Sequence, residues 1–72
     1  MHNYLIIFFN RYDTEQSTHT TIEADTPLNA IYKNDSDIDK DGKDWIRDEY
    51  IQVDSVFGCV PGEESDILIY KQ

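Results

Sequence analysis

The feature that most narrows the fold is a run of six apolar residues, Tyr4-Leu5-Ile6-Ile7-Phe8-Phe9. β-Branched and aromatic residues fill it, and its length suits a strand rather than a helix, so it predicts a strand placed centrally in a sheet. Side chains alternate along a strand, which sends Leu5, Ile7 and Phe9 to one face and Tyr4, Ile6 and Phe8 to the other. A strand that is apolar on both sides requires cover on both faces of its sheet.

The polar segment Asn10–Gln16 turns the chain. From Ser17 to Ala24, Thr18, Thr20, Ile22 and Ala24 alternate against His19, Thr21 and Glu23, which predicts a second strand and a hairpin partner for the first. Asp25-Thr26-Pro27 is a helix start: the Thr26 hydroxyl caps, and Pro27 gives up an amide that would have no partner in the first turn. Leu28, Ile31 and Tyr32 form one apolar stripe of a short helix that Asn34-Asp35-Ser36 ends. Asp41, with Asp44 three residues on, can cap a second brief helix holding Trp45, Ile46 and Tyr50. Tyr50–Phe57 alternates Ile51, Val53, Ser55 and Phe57 against Gln52 and Asp54, as a half-buried strand does. Gly58–Glu64, with Pro61-Gly62 as its turn signal, leads to a last strand, Asp66–Lys71, in which Ile67 and Ile69 oppose Leu68 and Tyr70.

The expected fold class is α+β: a mainly antiparallel four-stranded sheet with one short helix, in the order ββαββ, and an extra helical turn near Trp45. One helix covers one face of such a sheet. The second face is left for a homodimer partner, a target protein, or the acidic segment folded back with Trp45.

At 72 residues the chain makes one small domain, 1–72, able to bury roughly 60% of the surface its unfolded form exposes. Leu, Ile, Val and Phe number 18, a quarter of the residues, above the composition of disordered chains. Ligand pockets typically need roughly 300 Å³ or more, which argues against an enzyme in a domain this small. The single Cys59 cannot form an internal disulfide, which points to the cytoplasm. Cys59 reads as a small buried hydrophobe, and His2, His19 and Cys59 lack the paired spacing of a zinc site. Tyr4–Phe9 is too short to span a membrane and lacks the basic leader of a signal peptide. With a net charge of −9 and a pI near 4.3, direct binding to nucleic acid or to anionic lipid is disfavoured.

Charge concentrates between Asp35 and Glu49, where seven carboxylates face Lys40, Lys43 and Arg47 and contribute −4 of the total −9. Two chemistries fit this run. Asp37, Asp39 and Asp41, followed by Gly42, Lys43 and Asp48, have the spacing of a calcium loop of the EF-hand type, and resemblance to that family implies side-chain oxygens from the aspartates and a carbonyl from Lys43. Asp48 stands where the family has Glu, and Asp44 where it has an apolar residue.

The other chemistry is protein binding without a cofactor. In an extended segment Asp35, Asp37, Asp39 and Asp41 stand about 6.7 Å apart on one side. Successive phosphates of a DNA strand lie on the order of 7 Å apart, so such a row suits a groove built for nucleic acid. Asp13, Glu15, Asp54, Glu63, Glu64 and Asp66 can broaden the negative face, and Tyr12, Trp45 and Tyr50 can supply apolar anchors. The partner-binding set is then Asp35, Asp37, Asp39, Asp41, Asp44, Trp45, Asp48, Glu49 and Tyr50. In size, charge, single cysteine and compact α+β pattern the chain resembles the small acidic inhibitors of phages and mobile elements, including anti-CRISPR and DNA-mimic proteins. That resemblance implies a non-catalytic inhibitor or regulator of a basic, nucleic-acid-binding protein, and names a class rather than a target.

Overall fold

The computed structural model describes residues 1–72 apart from the side chain of Thr14. Strands β1 (His2–Asn10) and β2 (Thr18–Ala24) are joined through a 3₁₀ turn at Thr14–Gln16. Helices α1 (Pro27–Asn34) and α2 (Lys40–Glu49) follow, then β3 (Ile51–Gln52), β4 (Phe57–Val60) and β5 (Ser65–Lys71). The strands form one sheet in the order β2-β1-β5-β4-β3, and every neighbouring pair is antiparallel. The α+β class and the β1–β2 hairpin are as expected, with five strands and two helices in place of four and one. Among the described residues no helix is long and apolar enough to cross a membrane.

Tyr4–Phe9 lies inside β1, paired on one side with β2 and on the other with β5, so that Ile6 sits between Thr20 and Ile69. Helix α1 begins as the sequence predicts: Thr26 Oγ1 accepts the Asn29 N–H at 3.1 Å, Pro27 occupies the first turn, and the Asp35 N–H closes the helix on the Ile31 carbonyl at 3.2 Å.

Two expectations are corrected. The strand expected over Tyr50–Phe57 is broken into β3 and the start of β4 by a turn in which Asp54 Oδ1 accepts the N–H groups of Val56 and Phe57 at 2.8 and 2.9 Å. Alternation continues through this turn in sequence, but an aspartate that can bond backbone two and three residues on favours a reversal over a strand. As a result Gly58–Val60, expected in a connecting turn, is strand, while Pro61–Glu64 connects β4 to β5. The helical turn near Trp45 is a ten-residue helix that starts two residues earlier than expected, because Asp39 and not Asp41 is its cap.

The pairing registers sort the side chains into two faces. Tyr4, Ile6, Val60 and Ile69 point to the face covered by both helices, where they join Ala24, Ala30, Ile31 and Ile46 in one core. Gly58 lies on this face beneath Tyr50, and a Cβ there would collide with the Tyr50 ring. Leu5, Ile7, Phe9, Ile51, Phe57, Cys59, Leu68 and Tyr70 point to the opposite face. None of these eight is buried, and Cys59, expected in the core, is half-buried there. The acidic segment does not fold back over this face, because Ile38 and Ile46 pull it onto the same side as α1.

Candidate protein-binding surface

The acidic segment is built from its caps outward. Asp35 ends α1, and its carboxylate accepts the Asp37 N–H at 3.2 Å, which turns the chain towards α2. Asp39 Oδ1 accepts the Gly42 N–H at 2.8 Å and the Asp39 carbonyl accepts the Lys43 N–H at 2.9 Å, so Asp39 nucleates the first turn. Ile38 packs against the core and lies over Gly42, where a side chain would press on its methyl group. Ile46 is 5% exposed and anchors the helix to the sheet. The Tyr32 hydroxyl donates to the Lys43 carbonyl at 3.1 Å, and the Lys43 ammonium lies 5.6 Å from the Tyr32 ring centre, joining the two helices.

With Ile46 turned inward, the helical repeat turns Asp41, Asp44 and Asp48 outward on a single stripe. Neighbouring positions on such a stripe lie about 5–6 Å apart, and the stripe runs about 10 Å along the axis. Arg47 bridges two of the three: its guanidinium lies 3.3 Å from Asp44 and 3.8 Å from Asp48. Trp45 stands beside the stripe and is 50% exposed. Its helical neighbours three and four residues away are Asp41, Gly42, Asp48 and Glu49, so three carboxylate positions border the tryptophan.

Not all of the expected binding set is brought together here. The straight row of Asp35, Asp37, Asp39 and Asp41 is not formed, because the chain turns at Asp35 and winds into α2 after Asp39. Tyr50 caps the C-terminal end of α2 and points inward, half-buried, its hydroxyl donating to Gln52 Oε1. Burial holds its phenol above the ordinary value, so it belongs to the core rim and not to the acidic surface. The outlying acids do not merge into one broad face either. Asp54 is engaged in the β3–β4 turn, while Glu63, Glu64 and Asp66 lie at the other end of the sheet around Arg11. There Arg11 donates to both carboxylate oxygens of Asp66, at 3.0 and 2.7 Å, and with the Gly62 N–H holds that carboxyl below the usual range. Tyr12, at the same end, is 81% exposed.

Between Asp37 and Asp48 the candidate calcium ligands are divided between the turn after α1 and helix α2. Asp41, Lys43 and Asp48 are helical, and Asp39 is occupied by a backbone amide, so these oxygens do not converge. Among the described residues no three His, Cys, Asp or Glu side chains are grouped to hold a metal ion. A pocket of about 200 Å³ lined by Tyr4, Tyr50, Gln52, Gly58, Ile69 and Lys71 opens beside β3, smaller than the roughly 300 Å³ at which ligand pockets begin. The outward stripe of α2 was readable from the sequence only with the helix start placed at Asp39, and the signal for it was there: an aspartate three residues before Gly42 with Ile46 four residues beyond that glycine. Compared with protein-family models, curated proteins and solved structures, the chain matches none.

Proposed function

We propose that this chain is a non-catalytic acidic binding protein that inhibits or regulates a basic, nucleic-acid-binding protein by seating α2 in that partner's nucleic-acid site. The observation that carries this reading is the half-exposed Trp45, with Asp41, Asp48 and Glu49 three or four residues from it, on a helix anchored to the core by Ile46. Carboxylates held on a rigid element can meet the lysines and arginines that otherwise hold phosphates, which steers encounter and opposes wrong partners. Tryptophan supplies the desolvated apolar contact on which interface affinity rests.

The placement of charge in α2 supports the same reading. Asp48 and Glu49 occupy its last turn, where the helix dipole disfavours negative charge; Arg47 in that turn pairs with Asp44 and Asp48, while Glu49 has no such partner among the described residues. Negative charge kept at that end of the helix fits a role in contacting a basic partner.

The test is capture from a cell lysate on the immobilised chain at about 0.15 M salt, with duplex DNA as competitor. The expected result is a retained protein that DNA releases, and loss of that protein with the double variant Asp41→Lys, Asp48→Lys, whose circular dichroism remains that of the wild type. Retention of the same protein by the reversed chain overturns the reading. Calcium is the control: saturable amide shifts confined to Asp37–Asp48 on calcium titration, with no response to magnesium, would favour the metal-binding alternative.

A further inference from the structure

The sheet face turned away from the helices is uncovered and carries little charge; it is apolar across β1, β5, β4 and β3 and polar along the β2 edge, where His19, Thr21 and Glu23 share the side of Leu5 and Ile7. Along its centre Ile7 pairs with Leu68 and Leu5 with Tyr70, while Tyr70 stacks on Phe57 with ring centres 4.6 Å apart. Phe9 and Tyr70 are each 37% exposed, and Leu5, Ile7, Phe57 and Leu68 are half-buried with no element above them. Five strands about 4.8 Å apart, with central strands about 23 Å long, make a face on the order of 500 Å². Without the polar β2 edge, the apolar part is on the order of 350 Å², within the range of the largest apolar patch a typical monomer leaves to water.

We infer that this face is a homodimer interface, in which a second copy of the chain packs its own open sheet face to complete a sandwich. Charge selects the occupant. Of the chain's 15 acidic residues, the strand registers aim only Glu23 and Asp66 to this side, and Arg11 neutralises Asp66. The acids of α2 lie on the far side of the sheet. A basic partner finds little to pair with on the open face, whereas a second copy brings an equally neutral, apolar surface and keeps its own α2 directed away. Two copies face to face bury on the order of 1,000 Å², which reaches the lower limit of a specific interface and predicts a reversible dimer. A two-fold axis satisfies both copies at once, with the same residues on each side. The dimer is independent of what α2 binds, and it would present two acidic helices on opposite outer surfaces.

The lone cysteine reports on this face, because Cys59 lies opposite Leu68 on it and is half-buried in the free chain. Sedimentation equilibrium from about 1 µM to about 1 mM, a span that covers weak to moderate association, is measured alongside the rate of Cys59 alkylation. The expected result is a mass that doubles with concentration while alkylation slows in proportion to the dimer fraction. Phe9→Lys and Tyr70→Glu alter side chains already in contact with water, and each should give a folded monomer whose alkylation rate is constant across the range. A monomer throughout with unchanging Cys59 reactivity overturns the inference. So does a dimer that survives both variants and leaves Cys59 reactive, since it would then form elsewhere, as along the outer edge of β2.

Discussion

Asp35 and Asp39 accept backbone N–H groups, whereas Asp41 projects from α2 with no such partner. Composition makes these carboxylates equivalent, and their tasks separate only once the cap is placed. Asp39→Ala should therefore cost about 1 kcal/mol in urea unfolding, the usual value of a lost N-cap, while Asp37→Ala stays within about 0.5 kcal/mol. Equal costs at the two positions would remove Asp39 from its capping role. The Arg11–Asp66 pair offers a titration. The bidentate hydrogen bond to Arg11 depresses the Asp66 pKa, so its contribution to stability is present above the unfolded value of about 3.9 and is lost as pH falls through the lower folded value. Carboxyl NMR should find Asp66 titrating below the unfolded value of about 3.9, and Arg11→Gln should raise it towards that value. Tyr50 has the opposite sign: burial raises its phenol, so its contribution to stability is fully present below the unfolded value of about 10 and is lost as pH rises through the higher folded value, which the ultraviolet difference between wild type and Tyr50→Phe should show.

At the scale of elements, α1 and α2 differ in how far their sequences specify them. Thr26 and Pro27 mark the start of α1 and Leu28, Ile31 and Tyr32 its buried side, and all of this can be read directly. Helix α2 buries only Ile46, and its other positions are polar or charged apart from Gly42 and Trp45. Its helical state depends on Asp39 and on the contact with α1, which is why periodicity showed only a brief turn there. The charge at its C-terminal end gives a prediction that separates stability from binding. Glu49→Gln should stabilise the chain by about 0.3–1 kcal/mol at low salt, because it removes negative charge from the wrong end of the helix dipole, while Asp48→Asn gains less because it also removes the Arg47 pair; together they should weaken capture of the partner. Unchanged capture would assign the two acids to solubility alone. Between β3 and β4 the reverse holds: Ile51, Val53, Ser55 and Phe57 keep a strand's alternation, yet Asp54 bonds the backbone into a turn, and a two-residue periodicity does not reveal that.

For the whole molecule, one small core works against a net charge of −9. Ile6 is fully buried between β2, β5 and the helices, and Ile6→Ala should cost about 2–5 kcal/mol. Against the roughly 4–11 kcal/mol expected of a chain this length, that loss is a large share of stability and should lower the urea midpoint, followed by circular dichroism, with little change in slope. Self-repulsion adds a salt dependence: raising ionic strength from about 0.01 to 0.15 M shortens the screening length from about 30 to 8 Å and should raise Tm. A Tm that falls or holds steady over that range would show that local pairs such as Arg11–Asp66 outweigh the net charge.

The sequence by itself determined the α+β class, the interior position of Tyr4–Phe9, the start of α1 and the two-sided apolar character of β1 and β5. Each of these follows from local propensity or from alternation, which adjacent residues carry among themselves. Only the tertiary structure decided that α2 lies on the same face as α1, that Trp45 stands among Asp41, Asp48 and Glu49, and that the other sheet face is left bare. Those outcomes depend on which distant residues meet. Ile46 reaches the core that β1 and β5 build from the two ends of the chain, and once it is buried there the helical repeat turns the carboxylates outward.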